Sequence, residues 1–113
     1  MTMDVDNVSL DMDQGIAVGM VVSELISNAF KHAFPGKESG SVALSVNSIG
    51  DGGLELIVSD DGAGLPADFD IRKTTSLGLK LVAATVTREL GGTIDVENDN
   101  GARFIIRFQC ESQ

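Results

Sequence analysis

Residues 24–36 read ELISNAFKHAFPG. At about 100° per residue, four of their polar side chains fall within an arc of roughly 100°: Glu24, Asn28, Lys31 and His32. The opposite arc is apolar and holds Val18, Val22, Leu25, Ile26, Ala29 and Phe30. One face of this helix therefore suits a protein core. The other suits either ordinary solvent or a ligand.

The composition narrows the class of protein. The chain has 113 residues, of which 42% are hydrophobic, and a formal net charge of −9. This charge argues against nucleic acid or an anionic membrane surface as a partner. No apolar run approaches the ~20 residues of a membrane span, and the acidic opening MTMDVDN is unlike a signal peptide. The single cysteine, Cys110, excludes an internal disulfide and suggests a reducing compartment.

Hydrophobic periodicity predicts one α+β domain over residues 1–113, with two helices on one face of a mixed sheet in two layers. The predicted order is a strand at 5–10, a helix from a cap at Asp13 to about Ala33, strands at 41–49 and 54–60 joined by the turn GDGG, a loop at 61–75, a helix at 76–90 ended by Gly91, and a closing hairpin of strands at 93–98 and 102–109. A loop of about 15 residues inside a compact domain is usually functional.

The stretch SDDGAGLP, residues 59–66, ends a predicted strand on Asp60 and continues with Gly62 and Gly64. Glycines here permit a sharp turn or the close approach of a flat group. A carboxylate in this position can accept a hydrogen bond from an exocyclic amine such as that of adenine. Aspartate and glycine also fill ordinary turns, so this stretch alone leaves both interpretations open.

The stretch TTSLGLKLV, residues 74–82, places a helix N-terminus directly after the long loop, with Arg72 and Lys73 nearby. Thr75 or Ser76 can cap this helix. Free N–H groups and the positive end of the helix dipole make such an end suitable for phosphate, although every helix has one.

Together and in this order, the three stretches resemble motifs of the ATP-binding catalytic domain of sensor histidine kinases. This domain belongs to the Bergerat-fold (GHKL) superfamily, which also holds DNA gyrase B, MutL and heat-shock chaperone ATPases. ELISNAFKHAF resembles the family's N box, DDGAGLP its first glycine box and SLGLKLV its second, and ELGGTIDVENDNGARFIIRF is similar to its closing helix and hairpin. The similarity spans residues 8–109 and is greatest to the kinases related to the HWE group, although that group's tryptophan motif is absent.

The resemblance implies a role for each matching residue. Glu24 would be catalytic, polarising a water or the accepting group, and Asn28 would ligate Mg²⁺. The implied nucleotide-binding residues are Asn28, Lys31, His32, Asp60, Gly62, Gly64, Lys73, Ser76, Leu77, Gly78 and Leu79. Among them, Asp60 would bind the adenine amino group, Lys31 and His32 would contact phosphates, and residues 64–76 would form a lid. The second glycine box often begins with glycine where this chain has Ser76, and the family's common Gly-Thr reads Gly101-Ala102 here.

The resemblance also implies an ATP-dependent protein histidine kinase of two-component signalling, located in the bacterial cytoplasm, either on its own or as the cytoplasmic part of a larger sensor. Because His32 is the only histidine and lies in the N box, we expect the acceptor histidine and the dimerising helices to be absent. A separate acceptor domain, and through it a response regulator, would be the partners of a monomer that does not autophosphorylate. The alternatives are an anti-sigma-factor serine kinase, a nucleotide-gated interaction switch like the gyrase-type ATPases, and a domain without a ligand.

Overall fold

The structure, a computed structural model, describes residues 2–5, 12–30, 41–50, 52–62, 70–73, 77–98 and 101–109. Its elements in chain order are β1 (Thr2–Val5), α1 (Met12–Asn28), β2 (Val42–Ile49), β3 (Gly53–Asp60), a 3-10 turn (Ile71–Lys73), α2 (Leu77–Ala84), a π-helix (Thr85–Glu89), β4 (Thr93–Asn98) and β5 (Ala102–Gln109). The predicted order of helices and strands is confirmed. The first strand lies earlier than predicted, and residues 6–11 are outside the described ranges.

The five strands form one mixed sheet in the order β1-β2-β3-β5-β4. β1 is parallel to β2, and the other neighbours are antiparallel. Alternate residues of β2, β3 and β5 are buried because successive side chains of a strand lie on opposite faces. The buried set on these strands comprises Val42, Leu44, Val46, Leu54, Leu56, Val58, Phe104, Ile106 and Phe108. The alternation predicted for Val42, Leu44 and Val46 is therefore confirmed.

Helix α1 packs its buried side chains Ala17, Val21 and Leu25 into this core. Gln14 is buried with them, and its Nε2 donates to the carbonyl oxygen of Gln109 at 2.9 Å, so this buried amide is hydrogen-bonded. The helix begins at Met12, so Asp13 lies in the first turn rather than at the predicted cap. A carboxylate in the first turn is still favoured by the helix dipole.

The end of α1 departs from the predicted pattern. Ala29 and Phe30 continue the helix in a wider π turn. Each residue of a π turn advances by less than 100°, so the helical periodicity no longer holds there. Phe30 is 51% exposed, and the prediction that it faces the core is wrong.

The second helix is α-helical over α2 and continues as the π-helix. Leu79, Val82, Val86 and Leu90 are all buried, as their spacing predicted. Gly91 follows with a φ of +62°, a conformation that glycine adopts at little cost, and it ends the helix as predicted. Neither helix, within the described residues, is both long enough and apolar enough to cross a membrane.

Candidate nucleotide site

Asp60 and Ala102 lie at the same end of two neighbouring strands. β3 ends there at Asp60, opposite Val42, and β5 begins there at Ala102, opposite Asn98. The hydrogen bond from Gln14 to Gln109 places the start of α1 at the opposite end of these strands. The 17 residues of α1 span about 25 Å, close to the length of the eight-residue strand β5. Helix α1 is therefore long enough to span the sheet from the Gln109 end of the strands to the Asp60 end.

The second helix ends near the Gln109 end of β5. Gly92, just after the π-helix, lies against the carbonyl oxygen of Arg107 and the Cβ of Phe108 in the second half of β5.

The carboxylate of Asp60 is held by main-chain donors. Its Oδ1 accepts hydrogen bonds from the N–H of Gly62 at 3.0 Å and from the N–H of Ala102 at 3.2 Å. The first bond closes a turn over Asp60, Asp61 and Gly62, and the second crosses to β5. Both fall on one oxygen, and two backbone donors orient the group more firmly than a flexible side chain would. The arrangement suits a carboxylate that presents Oδ2 to a ligand.

Gly101 allows β5 to approach Asp60 this closely. A Cβ added at Gly101 would overlap the carbonyl oxygen of Asp60 and lie 3.1 Å from its Oδ1. The φ of Gly101 is +134°, which also disfavours any residue with a side chain. The Ala102 N–H that this approach brings to Asp60 belongs to the main chain, so the bond does not depend on the side chain at position 102.

Asn28 and Glu24 lie on the side of α1 that faces the core. Asn28 follows the buried Val21 by seven residues, and Glu24 follows the buried Ala17 by seven, which is nearly two turns in each case. Both polar residues are half-buried. Glu24 and Asn28 thus border the buried side chains of Leu25 and Ala29 in the last turns of α1. Their partial burial shows that they do not lie on a fully solvated face.

The oxygens of Asn28 and Glu24 suit a hard cation that is also held by waters and substrate phosphates, which is how Mg²⁺ usually binds. Within the described part of the chain, no three His, Cys, Asp or Glu side chains cluster as the ligands of a resident metal ion would.

The start of α2 has a graded exposure. Leu77 is 81% exposed, Gly78 is half-buried and Leu79 is buried. Lys73 is exposed and ends the 3-10 turn, where its N–H donates to the Asp70 carbonyl at 2.9 Å. The predicted residues Lys31, His32, Gly64 and Ser76, together with most of the predicted lid, lie outside the described residues.

A shallow cleft of about 400 Å³ also lies near the Asp60 end of the strands. It is lined by Ser45, Ile57, Ser59, Asp60, Ala102 and Arg103. Four of these residues alternate with core residues along their strands, so they lie on the sheet face turned away from the helices. The predicted nucleotide residues of α1 and α2 are on the other face. The cleft therefore shares only Asp60 and Ala102 with the candidate site.

Sequence reasoning did not identify two contacts of the site. Asp61 and Ser41 are joined by a pair of hydrogen bonds, and Ala102 bonds to Asp60 across 42 positions. The pair of consecutive aspartates was the visible signal for the first. The second depends on sheet register, for which no local pattern exists.

Comparisons with known proteins match nearly the whole chain to one family. The model of the family described as "Histidine kinase-, DNA gyrase B-, and HSP90-like ATPase" matches residues 13–112. The sensor histidine kinase PdtaS of Mycobacterium tuberculosis is 38% identical over 101 residues, which cover 87% of this chain and 20% of that protein. This chain thus spans about a fifth of the length of that relative.

One solved structure and one relative that matches a shorter stretch of this chain are also similar to it. The histidine kinase domain of the blue-light-activated kinase EL346 from Erythrobacter litoralis superposes with a TM-score of 0.87 at 30% identity, covering 96% of this chain and 50% of that one. The anti-sigma F factor of Priestia megaterium is 37% identical over only 54 residues, which cover 48% of this chain and 37% of that protein. The longer similarities are to histidine kinases.

Proposed function

This chain belongs to the family of histidine kinase-, DNA gyrase B- and HSP90-like ATPases, and on that premise we propose that it binds Mg·ATP and supplies the γ-phosphate to a histidine on a separate acceptor domain. The phosphate would pass from that histidine to a response regulator. Residues 1–113 would act as the nucleotide-holding domain of this two-component system, monomeric in the bacterial cytoplasm.

The observation that carries the proposal is the main-chain support of Asp60. With Oδ1 held by the N–H groups of Gly62 and Ala102, Oδ2 is the oxygen available to accept from the adenine amino group. Guanine carries a carbonyl at that position and would face the carboxylate with an acceptor. Adenine specificity thus follows from the fixed direction of one oxygen.

The phosphates would lie between the last turn of α1 and the first turn of α2. Leu77, Gly78 and Leu79 form the first turn of α2, and a helix N-terminus favours anions. Asn28 would hold the Mg²⁺ that accompanies the phosphates, and Lys31, His32, Lys73 and Ser76 would add contacts around them. Phosphoryl transfer depends chiefly on positioning and charge stabilisation, and this chain needs no nucleophile of its own.

The nucleotide step is tested by calorimetric titration of the full chain with Mg·ATP and Mg·GTP, beside the Asp60→Asn variant. Asparagine keeps an oxygen for Gly62 and Ala102 and replaces the ligand-facing oxygen with an amide donor. We expect the free energy of ATP binding to become less favourable by about 1–3 kcal/mol, the usual cost of a mismatched buried polar group. The preference for ATP over GTP should vanish. Asp95→Asn removes the same charge from exposed strand β4 and should leave both affinities unchanged. Failure of the unaltered chain to bind ATP at millimolar concentration would refute the proposal.

The transfer step is tested with labelled ATP and an acceptor domain carrying a histidine. We expect acid-labile phosphohistidine on the acceptor and none on this chain. Glu24→Gln should lower the transfer rate by roughly 10²- to 10⁴-fold, the usual contribution of a general base, while ATP binding persists. Glu89→Gln on the exposed π-helix is the matched control. Acid-stable phosphoserine on a partner would instead support the anti-sigma-factor kinase alternative; an anti-sigma F factor is similar over 54 residues of this chain.

A further inference from the structure

The carboxylate of Asp61 ends the pairing of β2 with β3. The last paired residues of these strands are Val42 and Asp60. One residue further, the N–H of Asp61 donates to the carbonyl oxygen of Ser41 at 3.2 Å, and the N–H of Ser41 donates to Oδ1 of Asp61 at 2.8 Å. Ser41 and Asp61 are therefore joined by two bonds, one of which is made by a side chain.

In a regular antiparallel pair, two opposed residues exchange both N–H···O=C bonds through the main chain. Here the Asp61 carboxylate takes the place of the Asp61 carbonyl as the acceptor for Ser41. The carbonyl is thereby released from the ladder, and the chain leaves the sheet directly after Asp61. This exchange of one acceptor for the other determines where β3 ends.

Two consecutive aspartates thus bind the two neighbouring strands. Asp61 reaches the start of β2 at Ser41, and Asp60 reaches the start of β5 at Ala102. Asp61 is also the middle residue of the turn that the Asp60 carboxylate closes on Gly62. Any rotation of Asp61 would move the Gly62 N–H and so the direction of the Asp60 carboxylate.

From this geometry we infer that Asp61 is a positioning residue of the nucleotide site, which fixes the direction of the Asp60 carboxylate and with it the selectivity for adenine over guanine. The inference rests on the proposed function of Asp60. In this role Asp61 acts through Ser41 and the turn. Its side chain needs an acceptor oxygen for this role and does not need a charge.

Because this role requires an acceptor oxygen but no charge, it can be distinguished from a purely electrostatic effect. An exposed carboxylate beside a phosphate site would repel ATP, so its removal by either asparagine or alanine would strengthen binding. A positioning residue behaves differently. Asp61→Asn keeps an oxygen within reach of the Ser41 N–H, whereas Asp61→Ala removes the acceptor altogether.

The test compares the unaltered chain with Asp61→Asn, Asp61→Ala and the control Glu89→Ala. Hydrogen exchange of the Ser41 amide, followed by NMR without nucleotide, reports the bond itself. Calorimetry with Mg·ATP and Mg·GTP reports the selectivity, and thermal unfolding reports stability. We expect Asp61→Ala to exchange the Ser41 amide at least 10-fold faster and to lose most of the ATP-over-GTP preference. Asp61→Asn and Glu89→Ala should stay within about 2-fold of the unaltered chain in both measurements.

The outcomes distinguish this inference from the proposal beneath it. No ATP binding by the unaltered chain would overturn the proposed function and this role with it. Normal ATP binding and selectivity in Asp61→Ala, together with a rapidly exchanging Ser41 amide, would overturn the positioning role alone. Stronger ATP binding in both Asp61 variants would assign the residue an electrostatic effect instead and would equally overturn the inference.

Discussion

Gly101 and Asp60 approach each other so closely that no side chain fits between them. A Cβ at Gly101 would overlap the carbonyl oxygen of Asp60, and the φ of +134° independently disfavours any other residue. This contact lets the next residue, Ala102, donate its N–H to the Asp60 carboxylate. The close crossing of β3 and β5 is therefore part of the candidate site as well as of the sheet.

Gly101→Ala should damage both stability and nucleotide binding. Relief of the overlap must separate the end of β3 from the start of β5, which lengthens the bond from Ala102 to Asp60. We expect a loss of about 1–3 kcal/mol of unfolding free energy from backbone strain, measured by denaturant unfolding. Calorimetry should show ATP binding weakened more strongly than GTP binding. An unfolding free energy equal to that of the unaltered chain would contradict the overlap.

Gly19→Ala should have the opposite effect on stability. Gly19 is exposed in the middle of α1, and a Cβ added there meets nothing within 4 Å. Alanine lowers the cost of ordering the helix by about 0.5–1 kcal/mol, so the melting temperature should rise by several degrees. ATP affinity should not change, since Gly19 lies on the side of α1 away from Asn28. The variant is also the matched glycine-to-alanine control for Gly101.

Asn28→Ala should abolish only the part of ATP affinity that depends on Mg²⁺. With the amide oxygen removed, binding in the presence of Mg²⁺ should fall to the level that the unaltered chain shows in EDTA. In EDTA the two proteins should bind ATP equally. Ser27→Ala, at the adjacent exposed position of α1, controls for effects on the helix. An equal loss of affinity in EDTA would assign Asn28 to the nucleotide rather than to the cation.

The outer face of the sheet carries ion pairs whose contribution should be small and sensitive to salt. Nε of Arg107 lies 2.7 Å from Oε2 of Glu55, and its Nη1 lies 3.8 Å from Oδ2 of Asp95. A double-mutant cycle of Arg107→Ala and Glu55→Ala should give a coupling of about 0.5–1 kcal/mol, because Arg107 is half exposed. In 1 M salt the coupling should fall toward zero. A coupling that persists at high salt would indicate that the pair is shielded from water.

Much of the fold could be predicted because its signals are local. The alternation of Val42, Leu44 and Val46 indicates a half-buried strand whatever the rest of the chain does. Gly91 ends a helix through its own backbone freedom. The predictions that failed involve boundaries: Phe30 left the core because α1 widens into a π turn, which no residue preference specifies.

The amino-acid sequence alone was enough to predict the order of the elements, most of the residues that face the core and three candidate motifs, since each depends on neighbours within a few positions. Only the tertiary structure decided which donors hold Asp60 and Asp61. Ala102 reaches Asp60 from 42 positions away, and Ser41 reaches Asp61 from 20, because sheet register brings them together. Register depends on how whole strands pack and pair, and main-chain N–H groups are the same at every residue except proline. A contact made by such a group therefore leaves almost no trace in the sequence.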